Sequence, residues 1–420
     1  MASKKISGFY FRSSVFGILS ISAALLNYAL YPILTRVLNA QQFGDFAVIV
    51  ALSNQILGLL LSLNIISIYL VKSRKENQAR TETQVIQKVL VWFFLVANLV
   101  LFIASPMLHS ILKIQGLGSF ALLAIILITA VPAVMWTGYL QGHKELVRIG
   151  IYSLSASFSK LILASVLAIL LGTIGGVWGL LGGAIVGLIV LRALPGTKLP
   201  SIGSIFYKLS PDDKRFIKNI RGFFIECLFV VGGLSFLQNY DITLAKALFK
   251  PEVAGVYSGI SVLSNALYYL AFLLIWIILP EIEIGNDKTN KRVLKTAYTL
   301  LGSLALLTIA GELLFKNLII SLLLGQGYAN QGSILIFASL FQLTLVAITL
   351  YGFYLLVNRK RRATVLGLLV IIPTLFVPAL VATNPLHMIQ LLWISLVCGF
   401  CLYVLGVKLH SLFWKRSITA

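Results

Sequence analysis

Twelve apolar runs follow one another along the chain, near 13–35, 46–71, 86–108, 118–141, 149–171 and 177–194, then 221–244, 254–280, 295–313, 332–357, 363–383 and 388–407. Each is close to the ~20 residues that carry a helix across the hydrocarbon core of a bilayer. No feature constrains the fold more, because in lipid every backbone polar group must be bonded within its own segment, and a run of this length does that as a helix. Composition agrees. At 59% hydrophobic and 11% charged over 420 residues, with mean hydropathy +0.96, there is too little polar surface for a water-soluble globule of this size. The chain reads as an all-α, polytopic membrane protein of about twelve transmembrane helices. Its first run follows Lys4, Lys5 and Arg12 as a signal peptide would, yet continues past the usual apolar length without a clear small-residue cleavage site, so it reads as a retained helix.

The runs form two sets of six, and the two sets begin alike. "GDFAVIVALSN" at Gly44–Asn54 is echoed by "GVYSGISVLSN" at Gly255–Asn265. Upstream, "NYALYPILTRVLNAQQFG" is echoed by "NYDITLAKALFKPEVAG", which with a gap or two sets Asn27-Tyr28 against Asn239-Tyr240, Arg36 against Lys246 and Phe46 against Tyr257. The expected organisation is a six-helix bundle over 1–194, a cytosolic linker over 195–220 and a homologous six-helix bundle over 221–420, in the same orientation. Parallel repeats of this kind flank a substrate path, so a central cavity is expected.

Lysine and arginine resist translocation, so their placement orients the chain. With both termini cytosolic, the inner side collects Lys4, Lys5, Arg12, Lys72, Arg74, Lys75, Arg80, Lys144 and Arg148, the central-link cluster, and Arg359-Lys360-Arg361-Arg362. The outer side keeps Arg36, Lys113, Lys246, Lys250 and Lys316. The formal charge of +21 is then topology and attraction to anionic lipid, and no nucleic-acid partner is expected.

Several chemistries lack their signatures. There is no phosphate-binding loop of the G-x-x-x-x-G-K-[ST] form, and no cofactor motif is found. His109, His143, His387 and His410 are scattered without ligand spacing, so no metal is expected. Cys227, Cys398 and Cys401 fall in apolar runs and read as buried packing. The acids Asp212, Asp213, Glu281, Glu283 and Asp287 read as solvated flanks, and no catalytic residue is assigned. Gly175, Gly179, Gly183 and Gly187, four apart, form a small-residue stripe for close helix contact.

Ionisable groups at membrane depth are costly and mark function. Lys160 is the twelfth residue of the span 149–171, about 16 Å from either end at 1.5 Å per residue, beyond the reach of snorkelling. Ser153, Ser157, Lys160 and Ala164 share one helical face, so Lys160 faces protein or water. It either pairs with a carboxylate of another helix or binds an anion. In the seventh run Glu226 and Asp241 lie fifteen residues apart, roughly 60° around a continuous helix and about 22 Å along it, and are the candidate proton or cation sites. Glu312 lies near the outer end of the ninth run. Arg36 and Lys246, matched by the repeat, suit an elongated or doubly negative anion or anchor at lipid heads. Asn27 and Asn239, similarly matched, line a cavity or bridge helices.

The segments "NYALYPILTRVLNAQQFGDFAVI" and "LQNYDITLAKALFKPEVAGVYSGISVLSN", Pro280, and "ISLLLGQGYANQG" resemble the Wzx-like oligosaccharide flippases and polysaccharide-biosynthesis proteins, a branch of the multidrug/oligosaccharidyl-lipid/polysaccharide exporter superfamily. The resemblance implies a transporter of the bacterial cytoplasmic membrane, not an enzyme. Such a protein moves undecaprenyl-diphosphate-linked oligosaccharide from the inner to the outer leaflet by alternating access. It implies H⁺ or Na⁺ as the driving ion, with Glu226 or Asp241 as the coupling site, and Lys160, Arg36, Lys246, Asn27 and Asn239 at the diphosphate and glycan. A glycan polymerase and chain-length machinery are the partners such a step feeds. A cation-coupled multidrug exporter of the same superfamily and a membrane glycan polymerase or ligase remain alternatives. The stretch "NLIISLLLG" in the outer segment 314–331 is expected to be a lid or interfacial helix.

Overall fold

A computed structural model describes residues 2–116, 118–196, 198–200, 210–278, 287–357 and 361–419. Within these, side chains are described from Ser14 to Leu409, except at 59, 61–63, 65, 69, 72–73, 223–224, 226–228, 272–278, 287–288, 356–357 and 361–364. Among the described residues the chain is all-α, with thirteen helices and one 3-10 turn. Among the same residues, seven helices are long and apolar enough to cross a membrane by length and composition. The protein is a multi-pass membrane protein. It divides into two compact units, Met1–Cys227 and Leu228–Ala420.

Unit 1 contains α1 (Ala2–Val37), α2 (Ala40–Ser73), α3 (Glu76–Leu112), α4 (Gly118–Gly142), α5 (Leu146–Ala193) and the start of α6 (Pro211–Gln238). Helix α1 lies along α5, α2 along α4, and α4 touches both α3 and α5. The entry to α2 is fixed by a capping box. Asn39 Oδ1 accepts from the Gln42 amide at 2.9 Å, and Gln42 Oε1 accepts from the Asn39 amide at 3.3 Å.

The 48-residue α5 would be about 72 Å long if straight, more than twice the hydrocarbon thickness. It breaks at Gly172, whose φ of 62° and ψ of −140° suit glycine and strain other residues. The two arms fold back on one another, and the glycine stripe is the seam. A Cβ at Gly175, Gly179, Gly183 or Gly187 would lie 1.9–2.7 Å from Leu167, Ala164, Lys160 or Ala156 respectively. The fifth and sixth predicted runs are therefore the two arms of this hairpin, and the stripe's partner is the arm just before it. Thr173 Oγ1, next to the hinge, donates to the Gln42 carbonyl at 3.0 Å and ties the turn to the start of α2.

The first residues after α5 fold back onto unit 1. Arg148 Nη2 donates to the carbonyls of Leu191 at 3.3 Å and Leu194 at 2.9 Å, capping the end of α5. Trp136 Nε1 donates to the Pro200 carbonyl at 3.0 Å, and Arg80 Nη2 reaches the Leu199 carbonyl at 3.5 Å. Leu199 is buried against Trp136, Tyr139, Leu140 and Leu191. Of the segment expected as a linker, 195–220, the described residues up to Pro200 thus form a strap on unit 1, 201–209 lie outside the description, and 211–220 are the first turns of α6.

Unit 2 contains the end of α6, then α7 (Tyr240–Leu248), α8 (Pro251–Ile278), α9 (Asp287–Leu324), the 3-10 turn Gln326–Tyr328, α10 (Gly332–Val357), α11 (Arg361–Thr374), α12 (Val377–Val381) and α13 (Pro385–Thr419). Helix α10 is central, packing on α8, α9, α11 and α13. The unit's core runs through Leu234, Tyr257, Ile260, Phe341, Leu345, Ile371 and Leu392, all nearly inaccessible.

Three expectations are corrected here. The seventh run is two helices, because Asn239 leaves helical geometry at φ −122°, ψ 16°, so the continuous wheel relating Glu226 to Asp241 does not apply. The ninth run does not stop near 313: α9 continues through "NLIISLLL" to Leu324, its exposed face still leucine-rich at Leu314, Leu318 and Leu322, and ends where Gly325 turns at φ 99°. No separate interfacial helix forms there. Cys398 and Cys401 are exposed free thiols on α13, among the outward apolar residues Val397 and Leu402.

Candidate functional site

The two units carry different polar chemistry. In unit 1 the central group is Lys160. Its Cα and Cβ lie in the hairpin seam, where a Cβ on Gly183 would come within 2.6 Å of Lys160 Cβ, so only glycine opposite leaves room for the lysine backbone. The side chain is half-buried, between the exposed Phe158 and Ile162 on one side and the buried Ser157 and Ala164 on the other. One turn back, Ser157 Oγ accepts from Asn27 Nδ2 at 2.8 Å, which locks α1 to this face of α5. Asn27 and Lys160 are thus brought to neighbouring turns of one helix pair. Among the described residues no carboxylate forms an ion pair with Lys160.

Arg36 stands at the end of α1, exposed, with Nη1 donating to the Pro32 carbonyl at 2.7 Å. The repeat sets it against Lys246, but the structure gives the two opposite surroundings. Lys246, on the last turn of α7, is fully buried.

In unit 2 the central group is Asp241. It is fully buried in the first turn of α7, where unbonded backbone N–H groups and the helix dipole favour negative charge. Its Oδ2 accepts from Tyr257 Oη at 2.8 Å and from Ser261 Oγ, both fully buried and one turn apart on α8. Its Oδ1 accepts no well-formed hydrogen bond among the described residues. Helix α7 is held in place by Tyr240, whose hydroxyl donates to the Leu375 carbonyl at 3.2 Å and whose ring meets Phe376 edge-on at 6.3 Å. Asn239 sits at the helix break, 2% exposed, its carbonyl accepting from Thr243 Oγ1 at 3.3 Å.

A buried carboxylate with one oxygen clamped by two hydroxyls is equipped to take a proton or a small oxygen-loving cation on the other. The side chain of Glu226, the other candidate for that role, lies outside the described residues. Among the described residues no group of three or more His, Cys, Asp or Glu is placed to hold a metal.

Tyr257 and Ser261 were not singled out from the sequence. The signal was present, since the second copy of the repeat puts Tyr257 where the first has Phe46 and so adds a hydroxyl at a position buried in both. Asp45, inside the quoted motif, is also fully buried; its Oδ2 accepts from the Gln115 amide at 2.9 Å and pins the turn after α3.

No family model and no curated protein matches this chain. Solved structures do. A multidrug resistance MATE family transporter of the MOP superfamily, in an inward-facing conformation, matches with a TM-score of 0.65 at 13% identity over 98% of each chain. The lipid II flippase MurJ matches with a TM-score of 0.68 at 14% identity over 94% of this chain and 87% of that one. A MOP-superfamily transporter from Pyrococcus furiosus, described as having a binding pocket of reversed polarity, matches with a TM-score of 0.54 at 14% identity over 98% and 96%. The chain therefore has the fold that MATE-family transporters and the MurJ flippase share.

Proposed function

We propose that the protein is a flippase of the bacterial cytoplasmic membrane that carries undecaprenyl-diphosphate-linked oligosaccharide units from the inner to the outer leaflet. Lys160 carries this reading. A lysine at mid-membrane costs about 3 kcal/mol on insertion scales, and among the described residues no acid offsets it. A diphosphate supplies the missing charge while its polyprenyl tail stays in lipid. Asn27, locked beside Lys160 through Ser157, presents an amide near the same face for glycan hydroxyls. Arg36, exposed at the outer end of α1, meets the diphosphate as it leaves.

The driving ion is H⁺ or Na⁺, taken up at Asp241, with Lys246 and Asn239 belonging to that buried region rather than to the glycan. Glu226 remains a second candidate for coupling. Both termini are cytosolic, and the two homologous halves alternate access. The shared fold supports a transporter, because the solved proteins that share it include a lipid II flippase and a multidrug resistance transporter. A cation-coupled multidrug exporter is the second reading, favoured by the same Asp241.

The test is movement of a labelled undecaprenyl-diphosphate oligosaccharide across proteoliposomes, with and without imposed H⁺ and Na⁺ gradients. Protein-dependent movement that is lost in Lys160→Gln, with the variant still monodisperse, is the expected result. Wild-type rates in Lys160→Gln would remove the diphosphate role, and export of a cationic dye without lipid movement would select the exporter.

A further inference from the structure

Glu312 has no part in the site at Asp241, yet its surroundings are as specific. It lies on α9 and is 6% exposed, while Leu313 and Leu314 beside it are 59% and 76% exposed on the outward apolar face. That places the carboxyl at a turn wrapped in hydrocarbon, directed inward. Oε1 accepts from Ser339 Oγ at 2.6 Å, and Ser339 on α10 is completely buried. Oε2 is buried and has no hydrogen-bond partner among the described residues.

The elements packed on α9 are α8, α10 and the 3-10 turn. Their described residues bring tyrosines and Glu252 but no lysine, arginine or histidine. Lys316, one turn along α9, lays its stem against Gly332 and forms no ion pair with Glu312. An ionised carboxylate so placed loses far more solvation than one hydroxyl returns. The group is stable there only when a cation sits on its open oxygen.

The same helix that supplies Ser339 also reaches the approach to Asp241. Three residues on, Gln342 Nε2 donates to the Gln238 carbonyl at 3.3 Å, at the last residue of α6 before the break that begins α7. Gln342 Oε1 is a further buried acceptor without a donor among the described residues.

We propose that Glu312 and Ser339 form a second cation-accepting site in unit 2, taking a proton or Na⁺ on Glu312 Oε2, so that the unit loads two monovalent cations rather than one. The role of this site in a transport cycle rests on the transporter reading; the site itself does not.

The experiment is cation counting on the purified full-length protein in detergent, without any lipid-linked substrate. Failure of the flippase reading therefore leaves its outcome intact. Equilibrium binding of ²²Na⁺ is measured for wild type, Asp241→Asn, Glu312→Gln and Ser339→Ala, together with infrared difference spectra of the protonated-carboxyl band. If the ion is Na⁺, wild type binds two equivalents, Glu312→Gln and Asp241→Asn one each, and Ser339→Ala keeps two with roughly tenfold tighter affinity at one, because the lost hydroxyl no longer stabilises the empty carboxylate. If it is a proton, Glu312→Gln removes a protonated-carboxyl band that Asp241→Asn leaves in place, and Ser339→Ala shifts that band. Should Glu312→Gln not fold, Ser339→Ala carries the test alone. Sodium counts, sodium affinities and carboxyl bands that are the same in wild type, Glu312→Gln and Ser339→Ala overturn the proposal, as do an unchanged affinity and band in Ser339→Ala where it is tested alone.

Discussion

The two copies of the repeated segment begin from nearly the same text and end in different chemistry. In the first, α1 runs unbroken past Asn27 to Val37, and α2 starts on the Asn39–Gln42 capping box. In the second, the helix breaks at Asn239, and α8 starts on Pro251, a residue suited to the first turn because it has no N–H to leave unbonded. Aligned, the first copy reads Ala29, Phe46 and Val50 where the second reads Asp241, Tyr257 and Ser261. Three exchanges put a carboxylate and the two hydroxyls that clamp it where the first copy has apolar side chains. The repeat fixes where helices run, whereas single polar substitutions decide what each copy can hold.

Writing the first copy's residues into the second is the strongest way to break the comparison. The triple variant Asp241→Ala, Tyr257→Phe, Ser261→Val is expected to remain folded, since all three replacements suit a buried apolar contact, and to lose all dependence of transport on an ion gradient. Gradient-driven rates in proteoliposomes equal to wild type would show that the cluster is packing only.

The matched cations give the next effect in size. Lys246→Ala empties a fully buried position and is expected to destabilise by about 3 kcal/mol, comparable with other large-to-small core changes. Arg36→Ala at the exposed counterpart is expected to leave the unfolding midpoint unchanged. Thermal unfolding in detergent distinguishes them, and equal shifts would mean that the repeat's symmetry extends to its environment after all.

The smallest effect isolates one hydroxyl. Tyr257→Phe restores the first copy's residue and removes one donor that stabilises the empty Asp241 carboxylate, so cation affinity is expected to rise by roughly tenfold, about 1.5 kcal/mol. Unchanged affinity by calorimetric titration would leave Ser261 as the residue that holds the carboxylate.

Much of the architecture was legible because membrane spans are written in length and hydropathy. The helical character of the runs and the close-contact role of the glycine stripe followed from length, hydropathy and spacing. The partner of the stripe was harder, because nothing in "GTIGG" distinguishes an ordinary helix-helix loop from a single-residue hinge; the folded-back arms require the Gly172 backbone itself. The break at Asn239 has no proline or glycine to announce it. The α9 extension reads in the sequence as a lid or interfacial helix, because an apolar stretch does not by itself say whether the preceding helix continues into it past Lys316, which lies against Gly332. The bond from Ser339 to Glu312 joins residues 27 apart on neighbouring helices, a pairing that periodicity along one helix does not contain.

The strap from Leu194 to Pro200 also bears on the order in which the protein is made. Once Pro200 has emerged, Trp136, Arg80 and Arg148 have their partners, with more than half of the 420-residue chain still to be translated. Chains lengthen by about 5–20 residues each second, and domains close in the order they appear. The half that carries Lys160 therefore has on the order of ten seconds or more in which to close the end of α5 under its strap before the second half has been made.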